Sequence, residues 1–330
     1  IGASATEIIF TSGASEAVNT AIKGVAKAYA NQGKHIITCE TEHKAVIESC
    51  KSLRADGFDI TYLPVDNSGQ IRPEDLKIAL RDDTILVALM WANNETGVLH
   101  PMAAITEIMA DHPALLLSDA TQAVGKVPVS VKGIDLMACS AHKLYGPKGV
   151  GALYVRASSP PLRCIPLIHG GSHEHGQRAG TINVPGIVGL GAAAAICSTR
   201  MAEDHKRLSE LRDGFEAELK ARIPGLIVNG ETAVRLPQTS NITFPVQNAS
   251  IMMSTLGTAA VSTGSSCSTG QGKPSHVLIA HGLSEAQSNG TIRFSMGRKT
   301  TKEDLERVVN DIVKYHETHA KMNAVMPGSE

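Results

Sequence analysis

Up to about residue 155 the sequence alternates between two textures, and that alternation limits the possible folds more than any other feature. Short apolar runs occupy residues 7–11, 35–39, 60–64, 84–90, 114–118, 136–140 and 151–155. Several are nearly continuous rather than alternating, as expected of strands covered on both faces. Helix-forming stretches lie between them at 15–30, 43–55, 73–81 and 101–110. Strand and helix taking turns imply βαβ units and an α/β fold, with a mainly parallel sheet flanked by helices. Beyond residue 186 the texture changes. Residues 187–219 are Ala-rich and then charge-rich, which suits a long connecting helix. After it come a short strand at 242–244, a Gly/Ser stretch at 262–268, a strand at 291–295 and a terminal helix over 302–319. A boundary near residue 200 therefore separates a large domain, 1–200, from a smaller α+β domain, 201–330.

Composition removes several classes of function. The 31 Lys+Arg balance 32 Asp+Glu, so the net charge is −1 and no basic stripe is available to neutralise phosphates. Aromatic residues make up only 3%, too few for base-stacking platforms, and no nucleic-acid partner is expected. No uninterrupted apolar run approaches the ~20 residues of a membrane helix, so no membrane association is expected either. The cysteines are Cys39, Cys50, Cys139, Cys164, Cys197 and Cys267, and no two form a C-x-x-C pair. A chain with its own core needs no disulfide staples, and a reducing, cytoplasmic setting is expected. The opening Ile1-Gly2-Ala3-Ser4-Ala5 carries no basic segment before an apolar core. It reads as an entry partway into a structure rather than as a secretory signal.

Polar clusters fall just past the ends of the apolar runs. Thr11-Ser12-Gly13-Ala14-Ser15-Glu16 joins a strand to a helix, where a helix N-terminus offers free N–H groups to an anion. It is neither a Walker A loop nor G-x-G-x-x-G, and it could equally be a plain N-cap with a Gly turn. Asn93-Asn94-Glu95-Thr96-Gly97, Asp119-Ala120-Thr121-Gln122 and Ser140-Ala141-His142-Lys143 follow three further strands. Open α/β sheets bind ligands along that edge, and four clusters there favour a site over four unrelated turns. Lys143 is central. A lysine at the end of a buried strand is expensive, and burial lowers an amine into a nucleophilic range. A Schiff base with pyridoxal phosphate would account for the set, with Asp, Asn or Gln, His and Ser/Thr around the ring and phosphate. The alternative is a snorkelling surface lysine.

Cys267 lies in a run too rich in Gly and Ser for a core, which favours an exposed reactive thiol over a packing residue. Arg293 interrupts a strand-like run and could grip a carboxylate, or could face water on an edge strand. His169, His173, Glu174 and His175 lie close together on a Gly-rich stretch without H-E-x-x-H, and no metal site is expected.

With these residues in place, the chain resembles the cysteine desulfurases of class V of the pyridoxal-phosphate aminotransferase family. The likeness runs from Thr6 to about His319. It is carried by IIFTSGASEAVN (8–19), TEHKAV (41–46), ANNETG (92–97), DATQAVGK (119–126), SAHKLYGPKGVGALYVR (140–156) and TIRFSMGR (291–298). The resemblance implies the fold-type-I transferase architecture, with the cofactor domain over 1–200 and the cysteine loop in the small domain, 201–330. It implies conversion of L-cysteine to L-alanine, with sulfur passed to an enzyme cysteine for iron–sulfur cluster assembly or another sulfur-transfer pathway. Lys143 is similar to the Schiff-base lysine and His43 to the histidine stacked on the ring. Asp119 would pair with the pyridine nitrogen and Gln122 with the ring hydroxyl. Asn94 is similar to the asparagine near the cofactor and the substrate carboxylate. Ala14, Ser15, Ser140 and His142 match the phosphate cradle. Thr181 matches a threonine that reaches the other subunit's phosphate, which implies a homodimer. Arg293 resembles the substrate-carboxylate arginine, and Cys267 the nucleophile that becomes the persulfide. A sulfur acceptor or iron–sulfur scaffold protein is the implied partner.

The chain departs from the family pattern in two places. Ser172 and His175 stand where the family usually has glycine and arginine in Gly-Gly-Gly-x-Glu-Arg-Gly. Family members also carry several dozen residues before the point matching Ile1, so the chain is expected to start inside the family's architecture. Selenocysteine lyase, or a related β-lyase, uses the same cofactor chemistry, and Cys267 favours the desulfurase. A non-catalytic sulfur-trafficking partner is the alternative from another class, against which stand Lys143, Asp119, His43 and Cys267 together.

Overall fold

A computed structural model describes residues 1–246, 248–257, 259–263 and 274–325. The chain divides into two compact units, Ile1–Asn94 with Val98–Ala202, and Glu95–Gly97 with Glu203–Glu330.

The first unit is a βα succession. It comprises β1 (Ile8–Thr11), α1 (Ala14–Tyr29), β2 (His35–Cys39), α2 (Lys44–Ser52), β3 (Asp59–Leu63), α3 (Pro73–Ala79), β4 (Thr84–Ala88), α4 (Met102–Ala110), β5 (Leu115–Asp119), β6 (Leu136–Ser140) and β7 (Gly151–Val155). The seven strands form one sheet in the order β1-β7-β6-β5-β4-β2-β3. Six strands run the same way, and β7 lies antiparallel between β1 and β6. Successive strand residues point to opposite faces. Ile36, Leu86, Leu117 and Ala138 pack with α1 and α2 residues such as Val18, Ile22 and Val46. Ile37, Val87, Leu116 and Met137 pack on the other face with Leu76, Met102 and Ile105 of α3 and α4. Both faces are covered, which is why the strands read as continuous apolar runs.

The final element of this unit is the start of α5 (Val184–Arg222), a 39-residue helix. One 18-residue window in it has a mean hydropathy of 1.3, enough by length and composition to cross a membrane. Leu190, Ala193 and Cys197 on it are buried with Leu144 and Val150, as in a core helix. Its other side leaves Val184, Val188 and Ile196 exposed.

The second unit takes the remainder of α5 and adds β8 (Ile227–Val228), β9 (Thr239–Thr243), α6 (Ala249–Thr255), α7 (His276–Ala280), α8 (Glu285–Asn289), β10 (Thr291–Ser295) and α9 (Lys302–Val325). Its sheet is antiparallel, in the order β10-β9-β8. Leu208, Phe215 and Leu219 of α5 close its core with Ile242, Phe244, Phe294 and Ile312. A buried Arg235–Glu216 fork, with contacts of 2.7 and 2.8 Å, ties α5 to the segment before β9. Glu95–Gly97 belongs to this unit. The Leu236 N–H donates to the Gly97 carbonyl at 2.7 Å, and the Ser275 hydroxyl donates to Glu95 at 2.6 Å.

Candidate active site

The polar clusters converge because the strands carrying them are parallel. In register, Thr11 of β1 and Ser140 of β6 both face Gly151, the first residue of β7. Asp119 ends β5 opposite Ala138 of β6. The chain leaves β2 for β3 on one side and returns at β4 on the other, so the strand order reverses there, a position where such sheets bind ligands.

At the β1 end, Gly13 caps α1 without any side-chain cap bond, and Ala14 and Ser15 begin the first turn. A Cβ placed on Gly151 would lie 2.6 Å from the Gly13 Cα and 2.6 Å from the Cys139 carbonyl oxygen. Glycine at 151 therefore lets the turn close onto the sheet. A Cβ on Gly13 would lie 3.7 Å from the Ser140 hydroxyl, which puts that hydroxyl against the α1 N-terminus.

Ser140 is buried, and its hydroxyl lies 2.8 Å from Nδ1 of His142. His142 and Lys143 sit on a one-turn 3-10 helix, Ala141–Lys143, and both side chains are exposed. The sequence argument for a buried Lys143 is therefore corrected. The 3-10 turn that follows the strand leaves its side chain exposed. Partial burial holds the His142 imidazole below its usual pKa, and the ammonium groups of Lys143, Lys148 and Lys126 push in the same direction. Those three charges make the rim of this turn electropositive.

Asp119 turns back on itself, accepting the Thr121 N–H at 3.0 Å. Gln122 accepts from Lys126 at 3.0 Å. The buried Thr121 hydroxyl between them has no hydrogen-bond partner. Beyond β4, the buried Asn93 side chain donates to the Thr41 carbonyl at 3.0 Å, which ties the β2 and β4 ends together. Asn94 follows it, partly exposed. His43 is not the first residue of α2, as the sequence suggested, but its N-cap. Its Nδ1 accepts the Ala45 N–H at 3.1 Å, which fixes the ring and places the proton of the neutral form on Nε2.

Sequence reasoning missed Glu42. It is fully buried, and its Oε1 accepts the Met90 N–H at 2.5 Å. Burial first, then the Asp119 charge, push its carboxyl well above the usual carboxylate range, toward the neutral acid. The available signal was an acid beside His43, three residues past the end of the β2 strand.

Thr181 is exposed and helps line a cavity of about 220 Å³ with Ser12, Arg178 and Asn183. Arg293 lies in the second unit on β10, an edge strand of the three-stranded sheet, where it is partly buried and its backbone pairs with Ser262. Cys267 lies outside the described residues. Glu174 holds the Phe10 N–H at 2.8 Å, and among the described residues no group of three or more His, Cys, Asp or Glu could hold a metal.

This donor set fits pyridoxal phosphate. The α1 N-terminus with Ser15, Ser140 and His142 suits a dianionic phosphate, and the three neighbouring ammonium groups favour it. Asp119 offers a carboxylate to a ring N–H, the partnerless Thr121 hydroxyl lies beside it, and Lys143 offers a primary amine.

The Aminotransferase class-V family model matches residues 1–308. The chain is 47% identical over 331 residues to "Cysteine desulfurase IscS" of Dictyoglomus turgidum, covering 99% of this chain and 82% of that protein. It is 46% identical over 316 residues to the protein of the same name from Anaeromyxobacter sp., covering 95% and 78%. A solved NifS-like protein superposes with a TM-score of 0.87 at 36% identity, covering 96% of this chain and 84% of that one. A structure described as SspA in complex with cysteine superposes at 0.76 and 37% identity, covering 89% and 82%.

Proposed function

Because the chain belongs to the class-V aminotransferase family, we propose that it is a pyridoxal-phosphate-dependent cysteine desulfurase, which converts L-cysteine to L-alanine and passes the sulfur to Cys267 as a persulfide. The observation that supports this reading is the sheet edge itself. The Ser140 hydroxyl lies against the α1 N-terminus, Asp119 ends the neighbouring strand, and Lys143 follows three residues after Ser140.

When bound, pyridoxal phosphate supplies an electron sink for the pair released as the substrate's Cα–H bond breaks. The protein's own groups bind, orient and carry protons. The α1 N-terminus with Ser15, Ser140 and His142 holds the phosphate. Asp119, an acceptor when ionised, holds a ring N–H, and Gln122 meets the ring hydroxyl. His43, fixed by its bond to Ala45, would stack on the ring, and Asn94 would hold the substrate carboxylate, the role that the resemblance also gives Arg293. The Lys143 amine removes the Cα proton and returns a proton as product forms. The Cys267 thiolate attacks the substrate sulfur. An S–S bond forms, the Cβ–S bond breaks with its electron pair left on Cβ, and Cβ takes up a proton to complete alanine.

Three finer statements belong to the same proposal. The enzyme is a homodimer, supported by the apolar back of α5, where Val184 and Val188 are 55% and 66% exposed. It works in the cytoplasm, supported by the free thiols of the five described cysteines. Its persulfide passes to a sulfur acceptor or iron–sulfur scaffold protein. The test is incubation with L-cysteine, with alanine, sulfide and protein persulfide measured for the wild type and Cys267→Ala. Alanine from the wild type, with cofactor but no persulfide in the variant, supports the proposal. No alanine from cofactor-loaded wild type refutes the activity, and normal persulfide in Cys267→Ala refutes the nucleophile.

A further inference from the structure

Glu16 and Arg178 lie 162 residues apart and form an ion pair at the turn read above as the phosphate cradle. Arg178 Nε donates to Glu16 Oε1 at 2.9 Å, and a second guanidinium N–H reaches Oε2 at 3.4 Å. Oε2 also accepts the Ser12 N–H at 2.8 Å. The pair is well shielded, with 19% of the Arg178 side chain and 8% of the Glu16 side chain exposed. Burial pushes the Glu16 carboxyl up, but the Arg178 guanidinium and the Ser12 hydrogen bonds together hold it below its usual value, so it is charged.

The placement is electrostatically awkward. Glu16 lies in the first turn of α1, where an acid suits the helix dipole in the absence of any other anion. With a phosphate on the same N-terminus, a bare carboxylate there would repel it. Arg178 supplies the compensating charge. It also belongs to the segment that carries Thr181, and that segment has its own anchors to the first unit. Glu174 accepts the Phe10 N–H at 2.8 Å, and Ala179 N–H donates to the Ile168 carbonyl at 3.2 Å. Glu174 and His175 both adopt left-handed backbone, with φ of 50° and 55°. Such strain in two consecutive non-glycine residues persists where the surroundings hold it in place.

We propose that Arg178 is a positioning residue that neutralises Glu16 at the cofactor-phosphate turn, while Glu16 pins Ser12 and docks the Thr181 segment onto that turn. The inference rests on the reading of Gly13–Ser15 as the phosphate cradle. It assigns Arg178 a charge role that a purely structural strap would not have.

The test is titration of apo-protein with pyridoxal phosphate, followed by visible absorbance, for wild type, Glu16→Gln, Arg178→Met and the double variant. Glutamine keeps an acceptor for the Ser12 N–H and removes the charge. Arg178→Met is expected to weaken cofactor binding about tenfold or more, because it leaves the Glu16 charge uncompensated. Glu16→Gln should stay within about threefold of wild type, and the double variant should recover to a similar level, a non-additive outcome. The Arg178→Met defect should shrink as salt rises, since screening weakens the repulsion. Arg178→Lys keeps the charge and should bind within about threefold of wild type, which preserves the test if the methionine variant folds poorly. Unchanged binding in Arg178→Met, or a double variant no better than Arg178→Met, overturns the proposal. Wild type that takes up no cofactor overturns the functional reading beneath it instead.

Discussion

Gly151→Ala would probe the closest backbone approach in the site. The new methyl would lie 2.6 Å from the Cys139 carbonyl oxygen, 2.6 Å from the Gly13 Cα and 2.8 Å from the Gly13 carbonyl carbon. Ordinary contact begins at 3.4 Å, and none of these is the movable tip of a side chain. Cys139 is locked in the β6–β7 ladder, so the Gly13 turn must retreat by on the order of 1 Å, a displacement that costs ~10²-fold at a positioned site. Overpacking of this kind costs about 1–3 kcal/mol of stability. For a domain of this size that is a fall in Tm of roughly 3–10 °C. The control is Gly149→Ala, two residues away. Its φ is +77° and nothing lies within 4 Å, so it should lose about 1–2 kcal/mol to backbone strain alone. Thermal unfolding and pyridoxal-phosphate titration, run on both variants, separate the two effects. Both should melt earlier, and only Gly151→Ala should lose cofactor affinity. Equal affinity losses in the two variants, or none in Gly151→Ala, would refute the claim that this glycine shapes the phosphate turn.

Two further outcomes follow from the same edge. Lys143→Ala should abolish both the visible absorbance of bound cofactor and its borohydride-fixed attachment, and a retained signal would move the attachment to another amine. Glu42→Gln should become stabilising relative to wild type as pH rises. The raised pKa keeps Glu42 protonated in the native state while the unfolded chain ionises above its ordinary 4.5, so wild-type stability falls upward from that pH. Glutamine has no proton to lose, and the gap should widen by up to about 1.4 kcal/mol per pH unit, as measured by urea unfolding between about pH 4.5 and 7. Parallel pH profiles would show that Glu42 is not held neutral.

Residues 136–140 and 151–155 were readable as strands because both faces of the sheet are buried and nearly every position is apolar. The polar residues just beyond them stood out for the same reason. Direction was harder to read, since a buried strand has the same pattern either way round. The ten residues between Ser140 and Gly151 nevertheless leave too little chain for the crossover that a parallel neighbour requires, which accounts for the antiparallel β7. The exposure of Lys143 was not readable, because a sequence pattern ends the strand at Ser140 but cannot show the 3-10 turn, Ala141–Lys143, that follows it.

What stayed hidden is non-local charge. Glu42 reads as one acid in a polar cluster, and only the fold buries it near Asp119 and gives it the Met90 N–H as a donor. Glu16 reads as an acid complementing a helix dipole, and its pairing with a residue 162 positions away leaves no local trace. The two cases differ in a way that matters for an anion site. Burial and the Asp119 charge push the Glu42 carboxyl up, toward its neutral form, whereas the Glu16 carboxyl is held below its usual value and paired with Arg178.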